Sequence, residues 1–393
     1  MLNFQSSVVE DFKGALTRLD RNKFQITYIY IQERPGRIDP FVNTHLEDKV
    51  ITLNKKESDF GHGGWIKRYH PIIEALDLDI LFYLDLTMGT HATRLASAKL
   101  APVQATSHGH PVTSGIPSTI IDYYISWGAA ELGYDIAKTH YTEELKFLPT
   151  ESLHQFYTPR SDENLSLIDR QNYRELINSG RESTFSTIPD GDHWYTCMQQ
   201  PFKLFPEMDS LLCQVLAKDP LGRLILHKSR SKESQEVFAS RLAREGCDMS
   251  RITFLDALPH HRLLALYALS DVILDSHPAG GCTTTREVLE LGKALVTLPA
   301  RLLGSRWTYA YYKMMGDEEL NRLVIAQSSE EYVELSVQIG TSKQKRAEVE
   351  RRVKQSVHRI HGRWESVTAW EKIFLEIAPV IIDSNVSGGH DEL

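Results

Sequence analysis

The 393-residue sequence lacks the motifs that mark the most common nucleotide-binding and hydrolytic sites. It contains neither G-x-G-x-x-G nor G-x-x-x-x-G-K-[ST], so a dinucleotide fingerprint and a P-loop are both excluded. H-E-x-x-H and G-x-S-x-G are also absent, which leaves zinc-peptidase and α/β-hydrolase functions without a motif. A phosphate-binding site in this chain must therefore use another arrangement of glycines, hydroxyl groups and cations.

Cysteine is scarce, positive charge is not in excess, and long apolar runs are missing. The net charge of -8 and the pI of about 6.1 argue against a nucleic-acid partner, which usually requires a basic patch. No apolar run approaches the roughly 18 residues of a membrane span. Without a C-x-x-C pair, the four cysteines favour buried thiols over a disulfide framework or a zinc site; they are Cys197, Cys213, Cys247 and Cys282.

The two ends of the sequence point to different cellular locations. Residues 390–393 read HDEL, an endoplasmic-reticulum retention signal, whereas the start MLNFQSSVVEDF has no basic n-region or apolar h-region. As it stands, the sequence predicts a cytoplasmic protein. The endoplasmic-reticulum lumen is predicted instead if the HDEL terminus is real and a signal peptide is missing from the N-terminus; a chance match on a polar tail is the alternative.

Apolar, β-rich runs alternate with helical patterns along most of the chain, which predicts parallel sheets covered by helices. The polar stretch 170–192 separates two such series and is interpreted as a domain junction. Two α/β domains would form a cleft at the carboxyl ends of their strands, where such folds bind ligands. The first predicted element is a helix over 8–19, so an opening strand is predicted to be missing, as in a truncated N-terminus. The predicted strands cover 24–31, 49–53, 79–86, 102–106, 122–126, 144–148, 194–199, 223–227, 252–255, 272–275, 295–298 and 323–326.

The stretch HPAGGCTTTREVLELG, residues 277–292, follows the apolar run 272–275 and precedes a predicted helix. A strand, a glycine-rich loop and a helix N-terminus together offer backbone N–H groups and a positive dipole end to an anion. Gly280 and Gly281 permit close approach of the backbone, and the hydroxyl groups of residues 283–285 can donate to phosphate oxygens. The alternative is a capping box in which Thr284 caps the helix and Glu287 bonds back.

Two further loops follow predicted strands. The first is Gln199-Gln200-Pro-Phe-Lys203, where a lysine at a strand's carboxyl end can neutralise a diphosphate; a solvated loop lysine is the commoner case. The second is His108-Gly-His-Pro-Val-Thr-Ser-Gly115. Its His-x-His pair lacks a third ligand in the sequence, so a loop reaching across the cleft is favoured over a metal site.

These loops, taken in order, resemble the catalytic region of protein O-GlcNAc transferases, Spindly-type O-fucosyltransferases and bacterial protein N-glucosyltransferases. The resemblance covers roughly residues 7 to 378. It is carried by LAPVQ at 100–104 with the loop at 108–115, IDY at 121–123, QPFK at 200–203, SDVILD at 270–275, TTTRE at 283–287, LP at 298–299 and GSR at 304–306.

The resemblance implies an α/β fold of GT-B type, with two facing Rossmann-like domains, parallel sheets and a C-terminal helix returning to the first domain. The implied boundaries are 1–175 for the N-terminal acceptor-side domain and 176–363 for the nucleotide-sugar-binding domain. The returning helix is expected at 364–380, and a disordered tail at 381–393.

The implied activity is metal-independent transfer of GlcNAc or a related hexose from a UDP- or GDP-sugar, without a cofactor. The expected acceptor is a Ser/Thr or Asn side chain of a protein. The alternatives are a glycan or lipid acceptor for the same donor, or a nucleotide-sugar-binding protein that has lost catalysis. We expect no nucleic-acid partner and no membrane span.

The resemblance also implies roles for individual residues. Lys203 is expected to contact the donor diphosphate and stabilise the leaving group, and His110 is a candidate base. A donor-binding role is implied for Gln200, Lys203, Gly281, Thr283, Thr284, Thr285, Glu287, Gly109, Pro111 and His261. The sequence departs from the O-GlcNAc transferases at Cys282, where they have a histidine, at about Ser6, where they have another, and in lacking tetratricopeptide repeats.

Overall fold

A computed structural model of the chain describes residues 2–3, 7–32, 48–54, 64–84, 86, 90–109, 112–158 and 192–379. The chain divides into two compact units. The first comprises Met1–Ser126, Tyr141–Leu148 and Val367–Leu393, and the second comprises Trp127–His140 and Pro149–Ser366. This division differs from the predicted boundary at residue 175, because residues 127–140 and 149–158 group with the second unit. The predicted tail at 381–393 lies outside the described residues.

The described strands form three sheets, and every pairing with a described register is parallel. The first unit holds sheets of order β1-β2-β3 and β4-β5-β6-β7, and the second holds a sheet of order β10-β9-β8-β11-β12. The predicted parallel α/β architecture is therefore confirmed. The strands are β1 Leu2–Asn3, β2 Thr27–Gln32, β3 Lys49–Asn54, β4 Ile80–Tyr83, β5 Val103–Ser107, β6 Tyr123–Trp127, β7 Glu144–Leu148, β8 His193–Cys197, β9 Gly222–His227, β10 Ile252–Leu255, β11 Val272–Leu274 and β12 Leu295–Val296.

Helices connect and cover these strands. None of the described helices is long and apolar enough to cross a membrane. The helices are α1 Ser7–Leu16, α2 Gly64–Glu74, α3 Thr90–Leu95, α4 Tyr134–Ala137, α5 Pro206–Lys218, α6 Lys232–Arg244, α7 His260–Leu269, α8 Thr283–Glu290, α9 Trp307–Met315, α10 Glu318–Val324, α11 Ser329–Thr341, α12 Lys343–Ser356 and α13 Trp364–Ile377.

Two sequence-based assignments are wrong. A strand does precede the first helix: β1 pairs with β2 through Leu2 and Asn3, but two residues are too few to show a periodic pattern. In the stretch predicted as a strand at 323–326, the first two residues end helix α10 instead. The Asp317 side chain caps that helix by accepting a hydrogen bond from the Leu320 amide, and only Ile325 forms an isolated bridge, with Thr297.

Aromatic packing joins the last helix to the first unit. Trp370 on α13 lies with its ring centroid 5.6 Å from that of Phe12 on α1 and 5.5 Å from that of Phe82 on β4. Phe374, one turn later, contacts Phe82 at 5.4 Å. Burial of rings this large dominates the energy of a local core. The final helix is thus an integral part of the first unit.

A disulfide in the second unit corrects the prediction of four thiols. Cys213 on α5 is bonded to Cys247, which follows α6, and both residues are buried. The two cysteines are 34 positions apart, so the pairing depends on how α5 and α6 pack and leaves no local sequence signal. Cys197 is a buried free thiol and Cys282 a half-buried one.

Candidate functional site

The candidate site in the second unit is built around the loop after β11. The strand Val272–Leu274 is buried along its length, and the next residue, Asp275, is only 4% exposed. The Asp275 carboxylate accepts hydrogen bonds from the Gly281 amide at 2.7 Å and from the Thr297 hydroxyl at 2.8 Å. Burial raises the pKa of Asp275, whereas hydrogen bonds and the charge of Lys203 act in the opposite direction. This carboxylate therefore fixes the loop from beneath.

The two loop glycines are held tightly. The Gly280 amide donates to the Gly304 carbonyl at 2.9 Å, so the loop is also tied to the segment after β12. A Cβ atom at Gly281 would lie 2.7 Å from Thr285 Oγ1, 2.9 Å from Gln199 Nε2 and 3.0 Å from Thr284 Oγ1. A side chain at position 281 would collide with these polar groups unless they moved.

Helix α8 begins at Thr283, directly after this loop. Cys282 occupies the N-cap position and its side chain makes no capping hydrogen bond. The alternative of a capping box at Thr284 is therefore wrong. Thr283 and Thr284 are half-buried, whereas Thr285 is 1% exposed and its hydroxyl lies 2.9 Å from that of Thr308.

Lys203 lies beside the glycine loop. Its ammonium group donates to the Gly280 carbonyl at 3.3 Å, and the backbone of Leu204 bridges that of Pro278. The structure thus brings together the two sequence-predicted loops of the second unit. Gln199 adds a contact that the sequence did not single out, since its amide donates to the Thr284 hydroxyl at 2.9 Å. Gln200 precedes the short 3-10 turn Pro201–Lys203 and is half-buried.

A second polar pair lies along helix α8. The Glu287 carboxylate is 6% exposed and lies 2.7 Å from Nε2 of His260, the first residue of α7. This partner explains why Glu287 does not serve a capping box. His261, for which a donor-binding role was predicted, is the next residue of α7, and its side chain lies outside the described part of the structure.

Cys282 is held by a buried polar pair. Its sulfur lies 3.3 Å from Nε2 of Gln155 and 3.7 Å from the Tyr311 hydroxyl, which itself donates to Gln155 Oε1 at 2.6 Å. Gln155 and Tyr311 are each 2% exposed. The position where O-GlcNAc transferases are expected to have histidine thus forms part of a fixed hydrogen-bonded group.

The predicted residues of the first unit are described only in part. Gly109 follows β5, while His110 and Pro111 lie outside the described residues. His108 is buried, with Nε2 lying 3.1 Å from the Asp11 carboxylate. The loop beyond is anchored by buried Glu143, which accepts from the Thr113 hydroxyl at 2.6 Å and the Ser114 amide at 2.8 Å.

The geometry of the second unit suits an anionic ligand. A cation, a helix N-terminus and two half-buried threonines converge at the carboxyl ends of β8 and β11. Parallel α/β sheets bind ligands at this edge, and helix N-termini favour negative charge there.

Comparison with known proteins agrees with this geometry. The model of glycosyl transferase family 41 matches residues 162–363, just over half of the chain. The chain belongs to glycosyl transferase family 41. The resemblance predicted from the sequence motifs is therefore confirmed.

Two curated relatives of this family member come from plants. The Petunia hybrida protein named "Probable UDP-N-acetylglucosamine--peptide N-acetylglucosaminyltransferase SPINDLY" is 27% identical over 278 residues, covering 70% of this chain and 27% of the relative. The Arabidopsis thaliana protein of the same name is 26% identical over 344 residues, covering 86% of this chain and 34% of the relative. The chain thus spans about a third or less of the length of these two proteins.

Solved structures support the fold. A mutant O-GlcNAc transferase of Thermobaculum terrenum superposes with a TM-score of 0.71 at 20% identity, covering 95% of this chain and 64% of the other. The Anabaena protein HepE in complex with UDP and glucose gives a TM-score of 0.54 at 13% identity, covering 94% and 95%. The predicted GT-B type of α/β fold is confirmed.

Proposed function

We propose that this family 41 glycosyltransferase moves a hexose from a nucleoside-diphosphate sugar to a side chain of a protein. The observation that carries the proposal is the contact between Lys203 and the Gly280 carbonyl, which places a cation beside the loop that opens helix α8. UDP-N-acetylglucosamine is the first donor to test, because the names of the plant relatives contain it.

In the proposed mechanism, the donor diphosphate lies between Lys203 and the N-terminus of α8. Breaking the bond between sugar and diphosphate leaves additional negative charge on the nucleotide. The Lys203 ammonium group, the amides of the first helical turn, and the hydroxyls of Thr283 and Thr284 stabilise that charge as it develops. Because these groups supply the positive charge, the proposed reaction needs no metal ion.

The remaining predicted residues receive narrower roles. Gln200 and Gly281 line the diphosphate position, and Thr285 supports the loop from inside through Thr308. Glu287, fixed by His260, is proposed to accept hydrogen bonds from the ribose. Gly109 and Pro111 are proposed to contact the donor sugar, and His261 is proposed to contact the nucleobase of the donor. His110 is the proposed catalytic general base.

Replacement of Lys203 tests the proposal. Loss of one preorganised charge-stabilising group costs about 10²–10³ in rate. We therefore expect Lys203→Ala to reduce donor turnover by that factor while the melting temperature stays within about 2 °C, since a half-buried loop lysine adds little to stability. Donor hydrolysis and transfer to peptides are measured with UDP-N-acetylglucosamine, UDP-glucose and GDP-fucose, each with and without EDTA.

Lys218→Ala is the matched control. Lys218 ends α5 in the same unit and makes an exposed ion pair with Glu334, at 3.7 Å. Undiminished turnover in Lys203→Ala would refute the assigned role, and loss of activity in EDTA would refute the metal-free mechanism. If a UDP or GDP thermal shift occurs without any turnover, the chain binds nucleotide sugars without transferring them. Transfer to glycans or lipids but not to peptides would refute the proposal that the acceptor is a protein.

A further inference from the structure

Arg241 lies on helix α6, outside the loops that form the candidate site. Its guanidinium group donates from Nε and Nη2 to the two carboxylate oxygens of Asp209, at 2.7 and 2.8 Å. Nη2 also donates to the Leu204 carbonyl at 2.7 Å. Asp209 and Leu204 are each 1% exposed, so one guanidinium group serves two buried residues. Removing it would leave a buried carboxylate without its partner, which favours this arrangement strongly.

Leu204 is the residue at which the two loops of the candidate site meet. It follows Lys203 directly, and its backbone forms an antiparallel bridge with Pro278, close to the two loop glycines. The Leu204 amide donates to the Pro201 carbonyl at 3.0 Å, which closes the turn that carries the lysine. A contact that fixes Leu204 therefore fixes the position of that turn against the glycine loop.

The chain passes from this turn into helix α5 without a side-chain cap. Phe205 occupies the N-cap position of α5 and makes no capping hydrogen bond. Asp209 lies in the first turn of α5, where the helix dipole favours a carboxylate. Because Arg241 binds both Asp209 and the Leu204 carbonyl, it joins the start of α5 to the end of the lysine turn.

We propose that Arg241 is a positioning residue, which holds the turn so that the Lys203 ammonium group lies beside the glycine loop. The inference rests on the proposed function, because that function gives Lys203 its role at the donor diphosphate. A planar guanidinium group binds a carboxylate through two donors, which a lysine ammonium group cannot reproduce. The effect of Arg241 on transfer is exerted through Lys203.

Arg251 offers a matched control at the other end of helix α5. Its guanidinium group donates to the carbonyls of Leu216 at 2.9 Å and Asp219 at 2.8 Å, and to the Asp248 carboxylate at 3.0 Å. These carbonyls precede β9, at the edge of the sheet opposite to Lys203. Arg251→Met therefore removes hydrogen bonds of the same kind without touching the candidate site.

Hydrogen exchange of the unliganded protein tests the position of the turn without any assay of activity. The Lys203 amide donates to the Gln200 carbonyl at 2.8 Å, and the Leu204 amide is bonded within the same turn. In Arg241→Met we expect both amides to exchange roughly tenfold faster than in the wild type, since a hydrogen bond to a charged group is lost. In Arg251→Met both amides should exchange at the wild-type rate. Unchanged exchange in Arg241→Met would overturn the inference.

A double-mutant cycle on donor turnover tests whether Arg241 acts through Lys203. Displacing a catalytic group by about 1 Å can cost about 10²-fold in rate, so Arg241→Met should lower kcat by roughly 10- to 100-fold. Arg251→Met should keep the wild-type kcat. Adding Arg241→Met to Lys203→Ala should cause no further loss, because the group that Arg241 positions is already absent. Losses that multiply would overturn the inference, since Arg241 would then act independently of the lysine.

Thermal unfolding of each variant sets an assay temperature at which all of them are folded. If Arg241→Met does not fold, Arg241→Lys provides the same comparison, because lysine keeps the positive charge beside Asp209 but not the planar fork. Failure of the proposed function is recognised separately. Undiminished turnover in Lys203→Ala would refute that function, whereas the exchange rates of the Lys203 and Leu204 amides decide whether Arg241 holds the turn.

Discussion

Replacing Gly281 with alanine tests the candidate site at its most crowded point. The added Cβ would meet the hydroxyls of Thr285 and Thr284 and the amide of Gln199, all within 3.0 Å. Real Cβ contacts are essentially never shorter than this. At least two of these side chains must rotate away, and the hydrogen bond between Gln199 and Thr284 must lengthen or break.

The expected magnitudes differ for stability and binding. The colliding atoms lie at the ends of rotatable side chains, so the free energy of unfolding should fall by only about 1 kcal/mol, the low end of overpacking costs. A hydrogen bond to a charged group is worth about 1.5–3 kcal/mol. Displacing the Thr284 hydroxyl and shifting the loop should therefore weaken nucleoside-diphosphate binding by about 2 kcal/mol, close to 30-fold in Kd.

The assay is isothermal titration with UDP and GDP, paired with thermal unfolding of the unliganded protein. Gly133→Ala is the control, because a Cβ at Gly133 meets nothing within 4 Å and its φ of -51° suits alanine. We expect wild-type affinity in Gly133→Ala and weakened affinity in Gly281→Ala. If Gly281→Ala binds as tightly as the wild type while both remain folded, the glycine loop is not the phosphate site.

Two predictions concern stability. Reducing the disulfide between Cys213 and Cys247 should lower the free energy of unfolding by about 3–4 kcal/mol for a loop of this length, and a reductant should have no further effect on Cys213→Ser in chemical denaturation. Burial, then the charges of Arg286 and His358, lowers the pKa of His361 from 6.5 to about 4. The contribution of neutral His361 to the free energy of unfolding is therefore fully present above about pH 6.5. It should be lost as the pH falls toward 4, and after a discount for partial exposure the loss is roughly 2 kcal/mol. His361→Asn should remove that pH dependence. If stability between pH 7 and 4.5 changes equally in the wild type and in His361→Asn, His361 is not the group responsible.

The proximity of the two loops could be predicted from the sequence because parallel strands bring their carboxyl ends to one edge. Given strands ending near residues 199 and 275, the proximity of Lys203 and Gly280 follows from sheet topology. The sequence did not predict which partners the side chains around these loops contact. The capping-box alternative for Glu287 depended on spacing alone, and in the structure His260 from another helix pairs with Glu287. The pairing of Cys213 was missed for the same reason, since a contact between two helices has no signature in local sequence.

The loop that suits an anion packs on a buried carboxylate, that of Asp275, and the directions of the loop amides explain how both are possible. The Gly281 amide is directed down to Asp275, and the Gly280 amide is directed to Gly304, so neither amide of the glycine pair points to a ligand. In the proposed mechanism the glycines provide space, and the first turn of α8, the two half-buried threonines and Lys203 contact the anion. The Asp275 side chain holds the loop from within through its hydrogen bonds with the Gly281 amide and the Thr297 hydroxyl. Preorganisation of this kind is what lowers the reorganisation cost when charge develops on a leaving group.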